Sequence, residues 1–326
     1  MNIISSTVII CAYDEKRWGD LCAAVASVAA QETPATELVV VIDHNPALLE
    51  RARAAFPHAI AIPNERTRGL SGARNSGIAV ASGEVVAFLD DDAIAAPTWL
   101  GTLLTGYRAP HVLGVGGKIV PLWPASRPRW FPEEFGWVVG GSYLGQPERT
   151  AAVRNLIGAN MSVRRDVLTQ VGDFQSTLGR VGTRPVGCEE TELCIRALQQ
   201  WPGGAFLYEP SAMVWHRVTP ARARWSYFRA RCYAEGLSKA HVAQLVGTND
   251  GLSSERAYTM RVLPSGVLRN LNQGLRRDSA GFLRAGAIVA GFGITAVGYA
   301  LAQARIRLSR SRTMSPPGPA SVVGRA

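Results

Sequence analysis

Three consecutive carboxylates, Asp90, Asp91 and Asp92, directly follow the apolar run at residues 85–89. Adjacent carboxylates repel one another, so such a triplet at the end of a buried strand is costly unless a cation lies among them. Oxygen-rich sites of this kind suit Mg²⁺ or Mn²⁺, which often also bind substrate phosphates. A solvated acidic turn that caps the next helix is the alternative. The apolar strand before the triplet favours the metal site.

Two further groups have the chemistry to complete such a site. His216 ends a second apolar run, residues 212–216, and is either a structural residue or an additional ligand of the kind that Mn²⁺ accepts. Glu189 and Glu190 begin an amphipathic helical pattern. They either complement the helix dipole or include a catalytic base whose pKa is set by its neighbour and by the nearby cation.

The elements that must position these residues form an alternating pattern. Short β-branched runs alternate with helical patterns in the first part of the chain, as is typical of a parallel sheet with helices on both faces. Ligands of such sheets bind at the carboxyl ends of the strands. The sequence therefore predicts an α/β fold with its site at that edge. The predicted strands are residues 7–12, 37–42, 59–62 and 85–89, and the predicted helices are residues 20–31, 47–56 and 71–81.

Polar residues follow the other predicted strands at the same edge. The first strand leads into Tyr13 and Glu15, and the second ends at Asp43. The loop at residues 64–75 contains two glycines and Arg74. Backbone N–H groups and an arginine in such a loop are suited to bind a phosphate.

The later part of the chain is less regular. A strand is predicted at residues 112–120, and the Trp- and Pro-rich residues 121–145 are predicted to shape a binding surface. The Gly-rich residues 172–187 are predicted to act as a lid. A basic helix is predicted at residues 225–246.

Composition excludes several classes of protein. With 326 residues and 47% hydrophobic residues, the chain is not intrinsically disordered. Its five cysteines form no C-x-x-C pair, which favours reduced thiols in a cytosolic compartment. The first strand is not followed by G-x-G-x-x-G, so a dehydrogenase is disfavoured.

Positive charge is concentrated in the C-terminal third. The residues from Arg217 onward contain 17 basic and 4 acidic residues, whereas the preceding ones contain 18 and 21. The apolar residues 285–302 carry no charge, and 18 residues is the lower limit for crossing a bilayer. This stretch favours a membrane surface over nucleic acid as the anionic partner, with a buried or self-associating helix as the alternative. Arginines interleaved with aromatic residues could serve either partner: Arg222, Arg224, Trp225, Tyr227, Phe228, Arg229 and Arg231.

These patterns divide the chain into four regions. We expect a catalytic domain at residues 1–220, a basic helical extension at 221–282, an apolar, membrane-associated helix at 283–304 and a disordered tail at 305–326.

The order of the motifs resembles that of glycosyltransferase family 2, whose members have a GT-A fold. The resemblance covers roughly Ser6 to Arg217. It departs from the family at one position, because Glu190 stands where the family usually has Asp. The matching segments are Cys11-Ala12-Tyr13, residues 37–43, residues 69–75, Phe88-Leu89-Asp90-Asp91-Asp92, residues 158–165, residues 171–174, Cys188-Glu189-Glu190-Thr191-Glu192 and Trp215-His216.

The resemblance implies a role for each candidate residue. Tyr13 packs on the nucleotide base and Asp43 accepts its imide N–H, which favours uracil or thymine. Asp92 and His216 bind Mn²⁺ or Mg²⁺. The catalytic base is Glu190, with Glu189 as the less favoured candidate. The residues implied in donor binding are Ala12, Tyr13, Glu15, Asp43, Arg74, Asp90, which holds the ribose, and Asp91.

The expected activity is metal-dependent transfer of a sugar, with inversion, from a UDP- or dTDP-sugar to a glycan or lipid-linked acceptor. Cell-envelope or exopolysaccharide synthesis at the cytoplasmic face of the plasma membrane fits this activity, and no nucleic acid is expected to bind. The alternatives are a retaining transferase, a sugar nucleotidyltransferase, and a non-catalytic, membrane-associated sugar-nucleotide-binding protein. The nucleotidyltransferase is disfavoured because the first strand lacks a Gly-rich, Lys-containing phosphate loop.

Overall fold

The computed structural model describes residues 4–180, 187–276 and 278–313. Within these ranges nine strands form one sheet, and helices cover both of its faces. The strands are β1 (Ser6–Ala12), β2 (Glu37–Ile42), β3 (Ile60–Pro63), β4 (Val85–Asp90), β5 (Ala93–Ala95), β6 (Val112–Leu122), β7 (Ala151–Val153), β8 (Asn160–Arg164) and β9 (Ala205–Arg217). The helices are α1 (Trp18–Ala29), α2 (Pro46–Ala55), α3 (Leu70–Val80), α4 (Trp99–Thr105), α5 (Arg165–Val171), α6 (Glu189–Gln200), α7 (Trp225–Val246), α8 (Thr248–Gly251), α9 (Ser253–Ala257), α10 (Leu263–Arg276) and α11 (Ala280–Thr313).

The sheet is parallel in its first half and mixed in its second. Its order is β3-β2-β1-β4-β8-β6-β9-β5, and β7 pairs with β9. The predicted parallel arrangement is confirmed for β3, β2, β1 and β4, where helices connect successive strands. It does not extend further, because β8 is antiparallel to both β4 and β6, and β5 and β7 are antiparallel to β9.

Alternate residues of the central strands are buried against opposite helical layers. Val8 and Ile10 of β1 pack with α1, α2 and α4, whereas Ile9 packs with α3, α5 and α6. Successive strand side chains point to opposite faces, so a strand covered on both sides must be apolar throughout. This explains the unbroken apolar runs that end at the site.

Strand register brings two distant segments together. β4 ends at Asp90, and after two residues the chain enters β5, where Ala93 pairs with His216 of β9. The backbone N–H of Arg217 donates to the carbonyl oxygen of Asp92 at 2.9 Å. The acidic triplet is therefore held against the end of β9 by backbone hydrogen bonds.

A third apolar cluster joins the Trp- and Pro-rich segment to the C-terminal helices. Phe131 and Phe135 pack with Phe228 of α7, Leu263 of α10 and Ile288 of α11. The segment predicted to be irregular thus contains a short 3₁₀ helix and is anchored on the C-terminal helices.

Helix α11 crosses α7 at very short range. A Cβ added at Gly236 of α7 would lie 2.1 Å from the carbonyl oxygen of Thr295, and one added at Gly298 of α11 would lie 2.4 Å from that of Tyr233. Only glycine allows the backbones to approach so closely. The 29 residues from Ala280 to Leu308 are also long and apolar enough to cross a membrane, although only 33% of the most apolar window is buried.

Helix α11 is longer than the apolar stretch that predicted it. It continues to Thr313, so the tail predicted to be disordered from residue 305 is helical in its first nine residues. The Ala, Gln, Leu and Arg residues after Tyr299 are strong helix formers, which explains the difference. Residues 314–326 lie outside the described residues.

The predicted basic and aromatic cluster does not form one surface. Phe228 is buried, and Trp225 stacks on it with ring centroids 5.0 Å apart. Arg222 and Arg231 line the large cavity described below, whereas Arg229 is exposed. Neighbours in this cluster are one or two residues apart, and each residue of a helix is rotated by about 100° from the one before, so the side chains point in different directions.

Candidate active site

A cavity of about 800 Å³ lies at the carboxyl edge of β1, β2 and β4 and extends to α7, α11 and the π-helical turn at Tyr258–Val262. Most of the residues predicted from the sequence line it. Glu15 does not; it is exposed on a 3₁₀ turn after β1. The predicted residues that line the cavity are Ala12, Tyr13, Asp43, Arg74, Asp90, Asp91, Asp92, Glu189, Glu190 and His216.

Asp90, Asp92 and His216 form a compact group of possible metal ligands. One ligand atom from each lies within 4.8 Å of the other two. His216 Nε2 is 3.1 Å from Asp92 Oδ1. Burial alone would raise the pKa of Asp92, but His216, Arg17 and Arg222 outweigh it and hold that pKa well below its usual range.

Among the described residues, two buried polar atoms here have no hydrogen-bond partner, Asp91 Oδ2 and His216 Nδ1, and Asp92 Oδ2 makes only ion pairs with Arg17 and Arg222. Buried polar atoms are rarely left without a partner, because each costs about 1–3 kcal/mol. Two carboxylates and one imidazole make an acceptable donor set for Mn²⁺, and Mg²⁺ prefers oxygen alone. The residues therefore fit a divalent cation.

Two arginines that the sequence analysis did not select contact the acidic triplet. Arg17 Nη2 lies 2.7 Å from Asp91 Oδ1 and also pairs with Asp92 Oδ2, and Arg222 Nη1 lies 3.7 Å from Asp92 Oδ2. Burial and its acidic neighbours raise the pKa of Asp91 in spite of Arg17. Arg17 could have been predicted at this site, because it follows β1 at the same edge of the sheet as the triplet. No feature of the sequence places Arg222 there.

Asp43 organises the loop that precedes α3. Its Oδ1 accepts a hydrogen bond from Asn64 Nδ2 at 2.6 Å, and its Oδ2 accepts one from the backbone N–H of Gly69 at 3.0 Å. Gly69 has φ +124°, a conformation that favours glycine. The loop is therefore fixed beside the ligand cavity, and Asp43 keeps lone pairs for a ligand.

Arg74 joins the acidic triplet to the start of α6. It is buried, with Nη1 2.9 Å from Glu189 Oε1 and Nη2 3.5 Å from Asp90 Oδ1. Its guanidinium carbon lies 5.7 Å from the Phe88 ring centroid and 5.4 Å from that of Phe174. Arg74 thus has a fixed position between the predicted metal site and the predicted base.

Glu190 is half-buried, follows the buried Glu189 and lines the same cavity. Burial, followed by repulsion from Glu189, raises the pKa of Glu190 to about 8, although Arg74 opposes the rise. A carboxyl group with a pKa near neutrality is suited to take and return a proton. The predicted lid, residues 172–187, ends just before this carboxylate pair, and its residues 181–186 lie outside the described residues.

The far half of the cavity contains an ion-pair network. Arg231 Nη1 lies 2.7 Å from Glu235 Oε2, and Lys239 Nζ lies 3.4 Å from Glu235 Oε1. Lys239 also pairs with Glu255, as does Arg154 through Nη1 at 2.5 Å. Three cations therefore share two carboxylates in this half, an arrangement that no sequence motif indicates.

A mixed α/β sheet, an Asp-x-Asp group with a histidine, and a carboxylate pair in one cavity are the features expected of a glycosyltransferase. The chain belongs to glycosyltransferase family 2: the family model described as "Glycosyl transferase family 2" matches residues 7–172. The predicted family and enzyme class are thus confirmed. The alternative of a non-catalytic binding protein loses its support.

Two relatives are similar to this chain over most of its length. A glucosyl-dolichyl phosphate glucuronosyltransferase of Haloferax volcanii is 36% identical over 237 residues, which cover 72% of this chain and 75% of the relative. The succinoglycan biosynthesis protein ExoM of Rhizobium meliloti is 26% identical over 283 residues, which cover 80% and 86%. The family therefore includes enzymes of glycolipid and exopolysaccharide synthesis.

Two solved glycosyltransferase structures have the same fold as this chain. A mannosyltransferase of Pyrobaculum calidifontis, in complex with GDP-Man and Mn²⁺, is 16% identical with a TM-score of 0.56 and covers 91% of this chain and 88% of that one. GalNAc-T7, crystallised with UDP, GalNAc and Mn²⁺, is 17% identical with a TM-score of 0.52. The match covers 79% of this chain, which spans about half (54%) of GalNAc-T7. The predicted GT-A fold is confirmed.

Proposed function

We propose that the protein transfers a sugar from a nucleoside-diphosphate donor to an acceptor hydroxyl with inversion at the anomeric carbon. One observation carries the proposal: Arg74 connects Asp90 of the metal-ligand group to Glu189, next to Glu190, inside one cavity. A donor bound at the first group therefore presents its anomeric carbon toward the second.

Asp92 and His216, assisted by Asp90, are the residues that hold the divalent cation. When bound, the cation neutralises the diphosphate leaving group as a Lewis acid. Mn²⁺ is the ion we propose, because the group includes an imidazole and because both structural neighbours were crystallised with Mn²⁺. Arg17 and Arg222 lie close enough to Asp92 to pair with phosphate oxygens next to the metal site.

Glu190 is the proposed catalytic base. It accepts the proton of the acceptor hydroxyl while that oxygen forms a bond to the anomeric carbon and the bond to the diphosphate oxygen breaks. Attack from the face opposite the leaving group inverts the configuration. Its pKa of about 8 makes the protonated product state stable enough to form near neutral pH.

Tyr13 and Asp43 are proposed to bind the nucleotide base. Tyr13 is 39% exposed at the cavity edge, where its ring offers a stacking surface. Asp43 oxygens can accept an imide N–H, which uracil and thymine provide. We therefore propose a UDP- or dTDP-sugar, and the neighbour with GDP-Man makes a guanine donor the alternative.

We propose that α10 and α11 lie in the surface of a membrane, on its cytoplasmic side. Leu268, Leu271 and Leu275 recur at i, i+3 and i+7 on an exposed flank of α10, and Leu275 is 79% exposed. Val289 of α11 is 60% exposed. Because the opposite side of α11 is packed on α7 and lines the cavity, attachment in the plane of the membrane suits it better than crossing.

The acceptor proposed for this arrangement is a lipid-linked sugar or a growing glycan held at the membrane. The Haloferax volcanii relative is named for an acceptor on dolichyl phosphate, which supports a lipid-linked one. A cavity that reaches from the sheet edge to α11 gives such an acceptor access from the membrane side.

A thermal-shift screen of nucleotide sugars with and without Mn²⁺ tests the proposal. A ligand that binds the folded state raises stability by mass action. We expect a UDP- or dTDP-sugar to stabilise the protein only with Mn²⁺, and Asp92→Ala to abolish that shift. Identical shifts with and without Mn²⁺ would contradict metal dependence. The anomeric configuration of the product, read by NMR, separates inversion from retention.

A further inference from the structure

We propose that the half of the cavity farthest from the nucleotide site binds the phosphate group of a lipid phosphate, and that Arg261 is its principal contact. The inference rests on the proposed function, since it concerns the acceptor of that same site. The residues of this half of the cavity, and a phosphate on the acceptor, have no role in the transfer step proposed above.

Charge is distributed unequally between the two halves of the cavity. In the half around Asp92 and Glu189, carboxylates outnumber cations by two, which suits a divalent metal ion. In the far half, cations outnumber carboxylates by two, which suits a phosphate. The near half contains Arg17, Arg74, Arg180, Arg222, Asp43, Asp90, Asp91, Asp92, Glu189 and Glu190. The far half contains Arg154, Arg231, Lys239, Arg261, Glu235 and Glu255.

Arg261 differs from the other cations of the far half. Arg154, Arg231 and Lys239 each pair with Glu235 or Glu255. Arg261 lines the cavity from the π-helical turn, is exposed, and makes no ion pair within 4.0 Å among the described residues. Its guanidinium is therefore available to a phosphate, to which it can donate two hydrogen bonds.

The walls beside Arg261 are apolar and lead to the proposed membrane surface. Val262 and Leu263 follow it in the chain, and α11 contributes Phe292 and Ala296 to the lining. Phe292 is 47% exposed, so this wall is continuous with the exposed face of α11. A cationic group beside an apolar wall matches a phosphate attached to a hydrocarbon chain, whereas a soluble phosphate gains nothing from the wall.

The far half adjoins the proposed base. A Cβ added at Gly187 would lie 3.4 Å from Arg231 Nη2 and 4.0 Å from Glu189 Oε2. The Cys188 thiol, which precedes the carboxylate pair, donates to Glu235 Oε1 at 3.4 Å. The cation network therefore lies beside Glu189, so a sugar attached to a phosphate in this half of the cavity can reach the carboxylate pair.

The test measures binding of farnesyl phosphate, farnesol and inorganic phosphate to the full chain by calorimetry, without nucleotide. We expect farnesyl phosphate to bind at least about tenfold more tightly than either of the other two. Arg261→Ala should weaken it by about tenfold, and Arg261→Lys should recover part of the loss. Arg256→Ala is the matched control, because Arg256 is exposed on the preceding turn and lies outside the cavity lining.

Each other outcome overturns the inference. Equal binding of farnesol would show an apolar site without a phosphate contact, and equal binding of inorganic phosphate would assign the cations to a soluble anion. Unchanged binding by Arg261→Ala would exclude the named residue. UDP binding with Mn²⁺ is measured in parallel. If the unmodified protein does not bind UDP, the proposed function is refuted. If Arg261→Ala still binds UDP, a loss of farnesyl phosphate binding in that variant is confined to the far half of the cavity.

Discussion

His216 Nε2 lies 3.1 Å from Asp92 Oδ1, although the two residues are far apart in the chain. The contact depends on the pairing of Ala93 with His216 between β5 and β9. A histidine that merely filled the core would not be expected to lie so near two carboxylates that one ligand atom each of Asp90, Asp92 and His216 falls within 4.8 Å of the other two. The geometry therefore favours the interpretation of His216 as a ligand over a structural one.

Replacement of the ligand residues should remove metal binding in graded steps. We expect Asp92→Ala to abolish Mn²⁺ binding and His216→Ala to weaken it by roughly 10–100-fold, the range found when metal-orienting groups are lost. Calorimetric titration with MnCl₂ measures both. His58→Ala is the control, since His58 is exposed and outside the cavity. Undiminished Mn²⁺ affinity in His216→Ala would restore the structural interpretation.

The rate of transfer should depend on the ionisation of Glu190. Only the carboxylate can accept a proton, so kcat/KM should rise with pH up to about 8 and then level off. Glu189→Gln removes the neighbouring charge that helps to raise the pKa of Glu190, so the midpoint of the profile should move to lower pH. Glu189→Asp retains that charge and should leave the midpoint in place. A midpoint that moves upward in Glu189→Gln would argue against Glu190 as the base.

The same ionisation should affect stability. The pKa of Glu190 is about 8 in the folded protein, against an ordinary value of 4.5. Between pH 4.5 and about 8, the folded protein therefore keeps a proton on Glu190 that the unfolded chain has lost. Stability should therefore fall as pH rises from about 5 to 8. Glu190→Gln should melt a few degrees above the unmodified protein at pH 9 but not at pH 4. Glu65→Gln, at an exposed position, should show no such difference.

Arg17 should compete with the metal ion for Asp92. Its guanidinium pairs with both Asp91 and Asp92, so Arg17→Ala leaves more negative charge for the cation. We expect Mn²⁺ affinity without nucleotide to increase by roughly three- to tenfold. Lys16→Ala removes a neighbouring exposed cation and should leave the affinity unchanged. Weaker Mn²⁺ binding in Arg17→Ala would mean that Arg17 orients the carboxylates.

Membrane attachment should depend on the leucine flank of α10. Leu275→Glu introduces a charge where we propose contact with the acyl chains, so binding to vesicles of phosphatidylglycerol and phosphatidylethanolamine should weaken by about tenfold or more. Co-sedimentation measures the effect. Gln273→Glu adds the same charge at an exposed position on the opposite side of α10 and should have little effect. Equal loss in both variants would point to electrostatic repulsion alone.

The first half of the fold was predictable because its elements are long and periodic. Strands β1, β2 and β4 and helices α1 to α3 lie within a few residues of their predicted positions. The three-residue strands β5 and β7 were not predictable, since three residues show no periodicity. The direction of the later strands was not predicted, and β8 is antiparallel to both of its neighbours.

The acidic part of the site was visible in the sequence because each of its residues follows a strand or begins a helix. Arg17 and the network of Arg154, Arg231 and Lys239 were not recognised, because their roles depend on tertiary contacts between distant helices and loops. Glu15 was selected for its place after β1, yet it is exposed and does not line the cavity. A position just after a strand predicts that a residue lies at the edge of the sheet, but it does not predict which way the side chain points.

The pairing of β5 with β9 also determines the stage of translation at which the proposed metal site can form. A nascent chain that has emerged from the ribosome only as far as α6 carries the acidic triplet and the carboxylate pair but not His216. Until β9 has been added to the sheet between β6 and β5, the acidic triplet is not held against His216. We therefore expect the proposed metal site, and with it any Mn²⁺-dependent binding of the donor, to form only after β9 has been synthesised.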